Sequence, residues 1–141
     1  MTAVRPLRVN AGDVPPNRRR GGDIRVTLSP ATVGATSGFG GVLKMLPGES
    51  VTEHYHPYSE EFLHVVAGQL DFFVDGALTR LGPGDSLIVP IGARHRAVNT
   101  GDVEIHAIFH LSPLAPLPAL GHVDVEPPLY GHAPLPQVGG A

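Results

Sequence analysis

The chain contains no cysteine. Disulfides, thiolate zinc sites, iron–sulfur clusters and cysteine nucleophiles are therefore all excluded. Charge is sparse as well. Ten Lys and Arg stand against 13 Asp and Glu, a formal net of −3, so the basic excess of a nucleic-acid binder is missing. No apolar run approaches the roughly 20 residues that cross a bilayer, and no basic start followed by an apolar stretch marks a signal peptide. The expectation is a cytoplasmic protein with no membrane partner. Nor does any segment carry a convincing 3.6-residue apolar period. What the 141 residues do have is turn chemistry, with 18 glycines and 15 prolines, and 42% hydrophobic residues, enough for one buried core. That balance argues against a helical bundle and for many short strands.

Composition divides the chain into three zones. Residues 1–23 are polar, broken by Pro15, Pro16, Gly21 and Gly22, with a basic cluster at Arg18, Arg19 and Arg20. They read as an arm whose arginines are solvated. Residues 24–112 form the domain proper, and residues 113–141 a proline-rich extended tail. In the middle zone, period-two segments rich in β-branched and aromatic residues predict nine strands. They lie near Ile24–Leu28, Gly38–Leu46, Val51–His56, Glu61–Ala67, Gln69–Val74, Leu78–Leu81, Ser86–Val89, His95–Asn99 and Val103–Leu111. Asp75-Gly76 suits a type I′ hairpin turn, because both positions accept positive φ. Closely spaced short strands of this kind predict an all-β antiparallel sandwich or barrel.

Eight histidines is a high count for this length, and their placement carries the chemistry. His54 and His56 stand at i and i+2 on a strand, so both imidazoles face one side. Glu61 opens the next strand after the turn-like Pro57-Tyr58-Ser59, and a hairpin return brings its carboxylate back beside the pair. His95 begins a later strand behind the stiff Pro90-Ile91-Gly92 corner. Three imidazoles and a carboxylate suit a divalent transition ion, with Zn favoured and Fe, Ni, Mn, Cu or Co acceptable. An octahedral ion so held keeps two open positions. Taken alone, an HxH pair is weak, since such pairs usually form the solvent face of an edge strand.

The joint spacing is stronger. Gly48-x5-His54-x-His56-x4-Glu61-x6-Gly68 is followed, after 15 residues, by Gly84-x5-Pro90-x-Gly92-x2-His95-x3-Asn99. Both signature motifs of the cupin superfamily are filled at every position, and the chain resembles that family. The resemblance implies a double-stranded β-helix in which His54, His56, Glu61 and His95 match the metal ligands and serve as the catalytic centre. A closer likeness covers most of residues 4–113. It rests on Glu53-His54-Tyr55-His56-Pro57-Tyr58-Ser59-Glu60-Glu61-Phe62-Leu63, on Val14–Asp23 and on Ala35–Phe39. There the chain is similar to the small single-domain cupin polyketide cyclases of bacterial aromatic-polyketide pathways.

That likeness implies metal-dependent, aldol-type ring closure and aromatisation of a poly-β-ketone in antibiotic biosynthesis. An acyl carrier protein or other polyketide synthase components would be the partners, and the chain would work as a homodimer paired through an apolar outer face. The alternatives are a metal-dependent oxygenase on an aromatic or quinol substrate and a non-catalytic small-molecule-binding cupin. The inward residues are expected to be Leu63, Val65, Phe73, Val89, Ile105 and Phe109, giving an apolar pocket with few basic groups. His106 and His110 share one face of the last strand. They point outward if Ile105, Ala107 and Phe109 face in, whereas the opposite parity lets His106 replace or join Glu61. Glu60 and His64 are expected on outer faces, and Asn99 on a loop hydrogen bond. His122 and His132 are expected to be solvated in the tail.

Overall fold

The computed structural model describes residues 7–134. The first six residues of the expected arm and residues 135–141 of the expected tail lie outside that range. Ten strands run β1 (Asp23–Leu28), β2 (Phe39–Met45), β3 (Ser50–Tyr55), β4 (Glu60–Ala67), β5 (Leu70–Val74), β6 (Ala77–Leu81), β7 (Ser86–Val89), β8 (His95–Val98), β9 (Ile105–Ser112) and β10 (Val123–Asp124). Nine coincide with the expected strands to within a few residues. The tenth lies in the proline-rich tail. A one-turn helix, Pro30–Val33, follows β1; Ser29 caps it, accepting from the Thr32 backbone N–H.

The strands form two five-stranded antiparallel sheets, ordered β1-β2-β9-β4-β7 and β10-β3-β8-β5-β6. The molecule is thus the all-β, two-sheet barrel that the alternation called for. β9 shows why the pattern is legible: Ile105, Ala107, Phe109 and Leu111 are buried, while Ile108 and His110 between them are exposed. One core cluster draws on both sheets, with Met45, Val65, Leu70 and Ile105 fully enclosed. Asp75 and Gly76 have φ of 48° and 82°, the left-handed pair of a tight turn joining Val74 to Ala77.

Asn99 is buried and holds its loop together. Its Nδ2 donates to the carbonyls of Met45 and Val103, and its Oδ1 accepts from Gly101 N–H. One expectation fails on β5. Phe72 is buried and faces the interior, whereas Phe73, next to it, is only half-buried and does not line the cavity. Two adjacent aromatics make both parities look apolar. The pairing Phe72↔Ala97 on β8 decides which one enters.

The segments flanking the barrel pack against it. β10 adds to the edge of β3, pairing Val123 with Tyr55 and Asp124 with His54. The arm also runs along β3, where Thr52 N–H donates to the Arg20 carbonyl at 2.9 Å. Gly21 makes this approach achievable: its φ is 102°, and a Cβ there would lie 1.9 Å from the Ser50 carbonyl oxygen. The two segments are also bound to each other. Arg19 donates to the carbonyls of Gly131 and Ala133, and Arg20 Nε meets Asp124 Oδ1 at 2.6 Å. The arginine cluster is therefore not a solvated run. Only Arg18 is well exposed, because Arg19 and Arg20 are taken up by the tail.

Candidate metal centre

The strand register brings the sequence-distant histidines together. His54 on β3 pairs directly with His95 on β8, and their rings lie 4.3 Å apart between centroids. His56, just beyond β3, stands 5.1 Å from each of them. One ring nitrogen from each of the three lies within 4.8 Å of the others, and all three side chains are buried. Glu61 comes from β4 in the opposite sheet. Its Oε2 is 2.9 Å from His95 Nε2 and 3.9 Å from His56 Nε2.

The orientation of each ring is set by the backbone. The Nδ1 atoms of His54, His56 and His95 lie 2.7, 3.0 and 3.2 Å from the carbonyls of Thr52, Gly121 and Ala93. A carbonyl only accepts, so Nδ1 carries the proton and each neutral ring presents the lone pair of Nε2. Glu61 Oε2 and His95 Nε2 are both buried, and neither has a hydrogen-bond partner of acceptable geometry despite their closeness. With the rings neutral, three imidazole lone pairs and a carboxylate thus converge on one point. Such a set calls for a cation, and imidazoles anchored through the other nitrogen to backbone carbonyls are how proteins hold metal ligands. The residues present fit a divalent transition ion.

Protonation states agree with that use at His54, His56 and Glu61, while at His95 an ion would have to displace a proton. Burial, reinforced by the charges of His95, His56 and Arg20, holds His54 well below the usual histidine range, so its ring is neutral near pH 7. His56 is lowered too, chiefly by burial. At His95 burial opposes the charged form, but the Glu61 carboxylate outweighs it and the net shift is upward. Burial likewise works against the Glu61 carboxylate, yet His95 and His56 bring its pKa down, so it is ionised.

The site opens into a pocket with about 710 Å³ of space between its walls, mouth included. Phe39, Leu43, Leu63, Phe72, Phe109 and Leu111 are among the apolar residues that line it. Leu63 and Phe109 line it as expected, while Val65, Val89 and Ile105 belong to the packed core behind it. His106 and His110 point to the outer side of β9, and Glu60 is exposed. His64 lies on the outer face of β4 with its Nδ1 2.7 Å from Ser86 Oγ. His132 is exposed.

Three lining residues escaped the sequence reading. His122, expected in solvent, is buried with its ring 5.8 Å from that of His56 and its Nε2 unpartnered. Arg20, expected on a solvated arm, is buried at the cavity wall, and Arg96 lines it as well. The pocket is therefore richer in basic groups than composition implied. A signal for Arg20 was present in the Arg-Gly-Gly junction leading into β1, where small residues allow close backbone approach. Nothing local distinguishes His122.

Fold and site together define a small cupin. Residues 41–110 match the family model described as a cupin domain, and the chain belongs to that family. Within it the chain is similar to polyketide synthase CurC of Streptomyces cyaneus, at 55% identity over 91% of this chain and 83% of that protein. It is also similar to the tetracenomycin polyketide synthase protein TcmJ of Streptomyces glaucescens, at 46% identity over 99% of this chain and 93% of that protein. Among solved structures, KdgF from Halomonas sp. superposes with a TM-score of 0.66 over 79% of this chain and 96% of that one. At 20% identity, that likeness speaks for the fold alone.

Proposed function

We propose that this protein is a metal-dependent polyketide cyclase, closing and aromatising a ring on a poly-β-ketone. Its ion, zinc by preference, would be held by His54, His56, His95 and Glu61. The observation that carries the reading is the convergence of three ring nitrogens and a carboxylate oxygen inside a largely apolar cavity. The polyketide synthase names of the two Streptomyces relatives support the substrate class.

A divalent ion held by these residues would supply Lewis acidity toward a substrate carbonyl. The chain's own residues do the rest. Backbone carbonyls of Thr52, Gly121 and Ala93 hold the imidazoles in one tautomer, so no reorientation is needed when substrate enters. Where it does not ligate, Glu61 Oε2 is the basic atom placed to take the methylene proton. Phe39, Phe72 and Phe109 give the walls a flat, water-excluding shape that limits a flexible polyketone to one fold. Loss of water after carbon–carbon bond formation gains aromaticity and makes the step irreversible.

The working unit is proposed to be a homodimer. Phe62, Ile88 and Ile108 are exposed side by side on the outer face of the β1-β2-β9-β4-β7 sheet, and a second copy would cover them.

The test combines elemental analysis of the purified protein with a product assay run in air and under anaerobic conditions. Stoichiometric divalent metal, directed ring closure without dioxygen, and spontaneous shunt products from His54→Ala and His95→Ala are expected. A strict oxygen requirement would transfer the site to the oxygenases. Saturable binding with no turnover would make the protein a binder, and an unchanged product profile in both variants would remove the metal from the reaction.

A further inference from the structure

Arg20 brings a cation to the cavity wall. Its side chain is 7% exposed, and its guanidinium makes one close ion pair, Nε to Asp124 Oδ1 at 2.6 Å. Asp124 is shared, since Arg19 Nη2 lies 3.9 Å from its other oxygen. A guanidinium has five N–H donors in a planar fork. Among the described residues, the Nη groups of Arg20 have no hydrogen-bond partner. Neither Nη is among the buried side-chain atoms left without a partner, so solvent reaches both and they are available to a ligand at the cavity wall.

The placement of this residue is well determined. Gly21 presses the arm against Ser50, and the Thr52 N–H holds the Arg20 carbonyl two residues before His54. The side chain then reaches the cavity wall, where its charge weighs against protonation of His54, His56, His95 and His122. Arg96, the other lining cation, is 38% exposed and joined to Glu126 at 3.1 Å, so it stands nearer solvent.

We infer that Arg20 is a substrate-binding residue whose free Nη groups take a delocalised oxygen anion, an enolate or a carboxylate, inside the cavity beside the three histidines. The anion's chemistry rests on the cyclase reading. A 1,3-diketone ionises readily, its charge is spread over two oxygens, and two parallel N–H groups match that pair. A carboxylate offers the same geometry. Arg20 would then bind the substrate away from the ligand cluster and fix which carbonyl reaches it.

The experiment is calorimetric titration of the zinc-loaded, full-length protein with three probes of similar shape. They are 2-naphthoate, the uncharged 2-naphthamide, and 1-(2-naphthyl)butane-1,3-dione, which can ionise. Arg20→Gln keeps a donor for Asp124 and removes the charge. It is expected to weaken the anionic probes at least about tenfold and the amide less than about twofold, with zinc content unchanged. Loss confined to naphthoate assigns the subsite to carboxylates, and loss confined to the diketone assigns it to enolates. Equal weakening of the amide would make Arg20 a structural tie between arm and tail. Undiminished anion binding, or no binding of either anionic probe by the unaltered protein, overturns the inference. Should Arg20→Gln fail to fold, Arg20→Lys retains the charge without the fork. Its anion affinities should fall severalfold with the amide unmoved, and equal change in both counts against the proposal. None of these readings needs turnover, so the cyclase proposal can fail in the product assay while this one stands.

Discussion

Glu61 Oε2 and His95 Nε2 meet at 2.9 Å from opposite sheets, the point where the two halves of the barrel share one charge. Glu61→Gln keeps the size and removes that charge. Zinc affinity is expected to fall by about one to two orders of magnitude, read by competition with a chromogenic chelator. An unchanged affinity would take Glu61 out of the ligand set and leave it as the base.

On the proposed ligand set, His54→Ala and His95→Ala would each remove a direct ligand, so the loss of zinc should exceed that of Glu61→Gln. Both variants should purify with little metal, while far-UV circular dichroism stays that of the native barrel. Retention of a full equivalent in either one would place the ion elsewhere.

Acid should destabilise the metal-free protein in a defined window. Burial, and then the charge of Arg20, lowers His122 to about 3. Above about pH 6.5 the residue is neutral in both folded and unfolded chains and contributes no pH dependence. Below that, the unfolded chain takes up a proton that the folded one refuses, so stability falls by up to about 1.4 kcal/mol per pH unit until the folded-state pKa is reached. His54 acts in the same direction. Denaturant titrations at pH 7, 6 and 5 should show a shallower decline for His122→Gln than for the unaltered protein. Parallel curves would count against a buried, neutral His122.

Gly21→Ala puts a methyl group where the Ser50 carbonyl already lies, at a φ that alanine avoids. A loss of about 1–3 kcal/mol is expected, seen as a lower melting temperature. If Arg20 is carried away with the arm, affinity for 2-naphthoate falls as well.

Phe62→Asp should convert a dimer to a monomer in light scattering, with zinc content retained, because Phe62 faces away from the cavity. A native protein that is already monomeric at micromolar concentration would dispose of the pairing proposal.

The barrel and the placement of the histidine cluster were readable because both rest on local rules. Alternation assigns Ile105, Ala107 and Phe109 to one face, and an i, i+2 pair must share a side. Phe72 and Phe73 defeat that rule, since adjacent apolar residues carry no parity. Arg20 and His122 defeat it differently. Each sits in a segment without periodicity, and each is positioned by contacts about a hundred residues away in sequence or in another strand, such as Arg20–Asp124. The arginine run looked solvated because its counter-charge, Asp124, and its carbonyl acceptors, Gly131 and Ala133, are remote in the chain.

The Gly121 carbonyl that orients His56 has a consequence for synthesis of the protein. Histidines 54, 56 and 95 leave the ribosome well before residue 121 does, so an ion arriving early would meet one imidazole still free to rotate. If the proposed ion binds there, firm capture would wait until β10 has zipped onto β3, placing metallation among the last events in maturation.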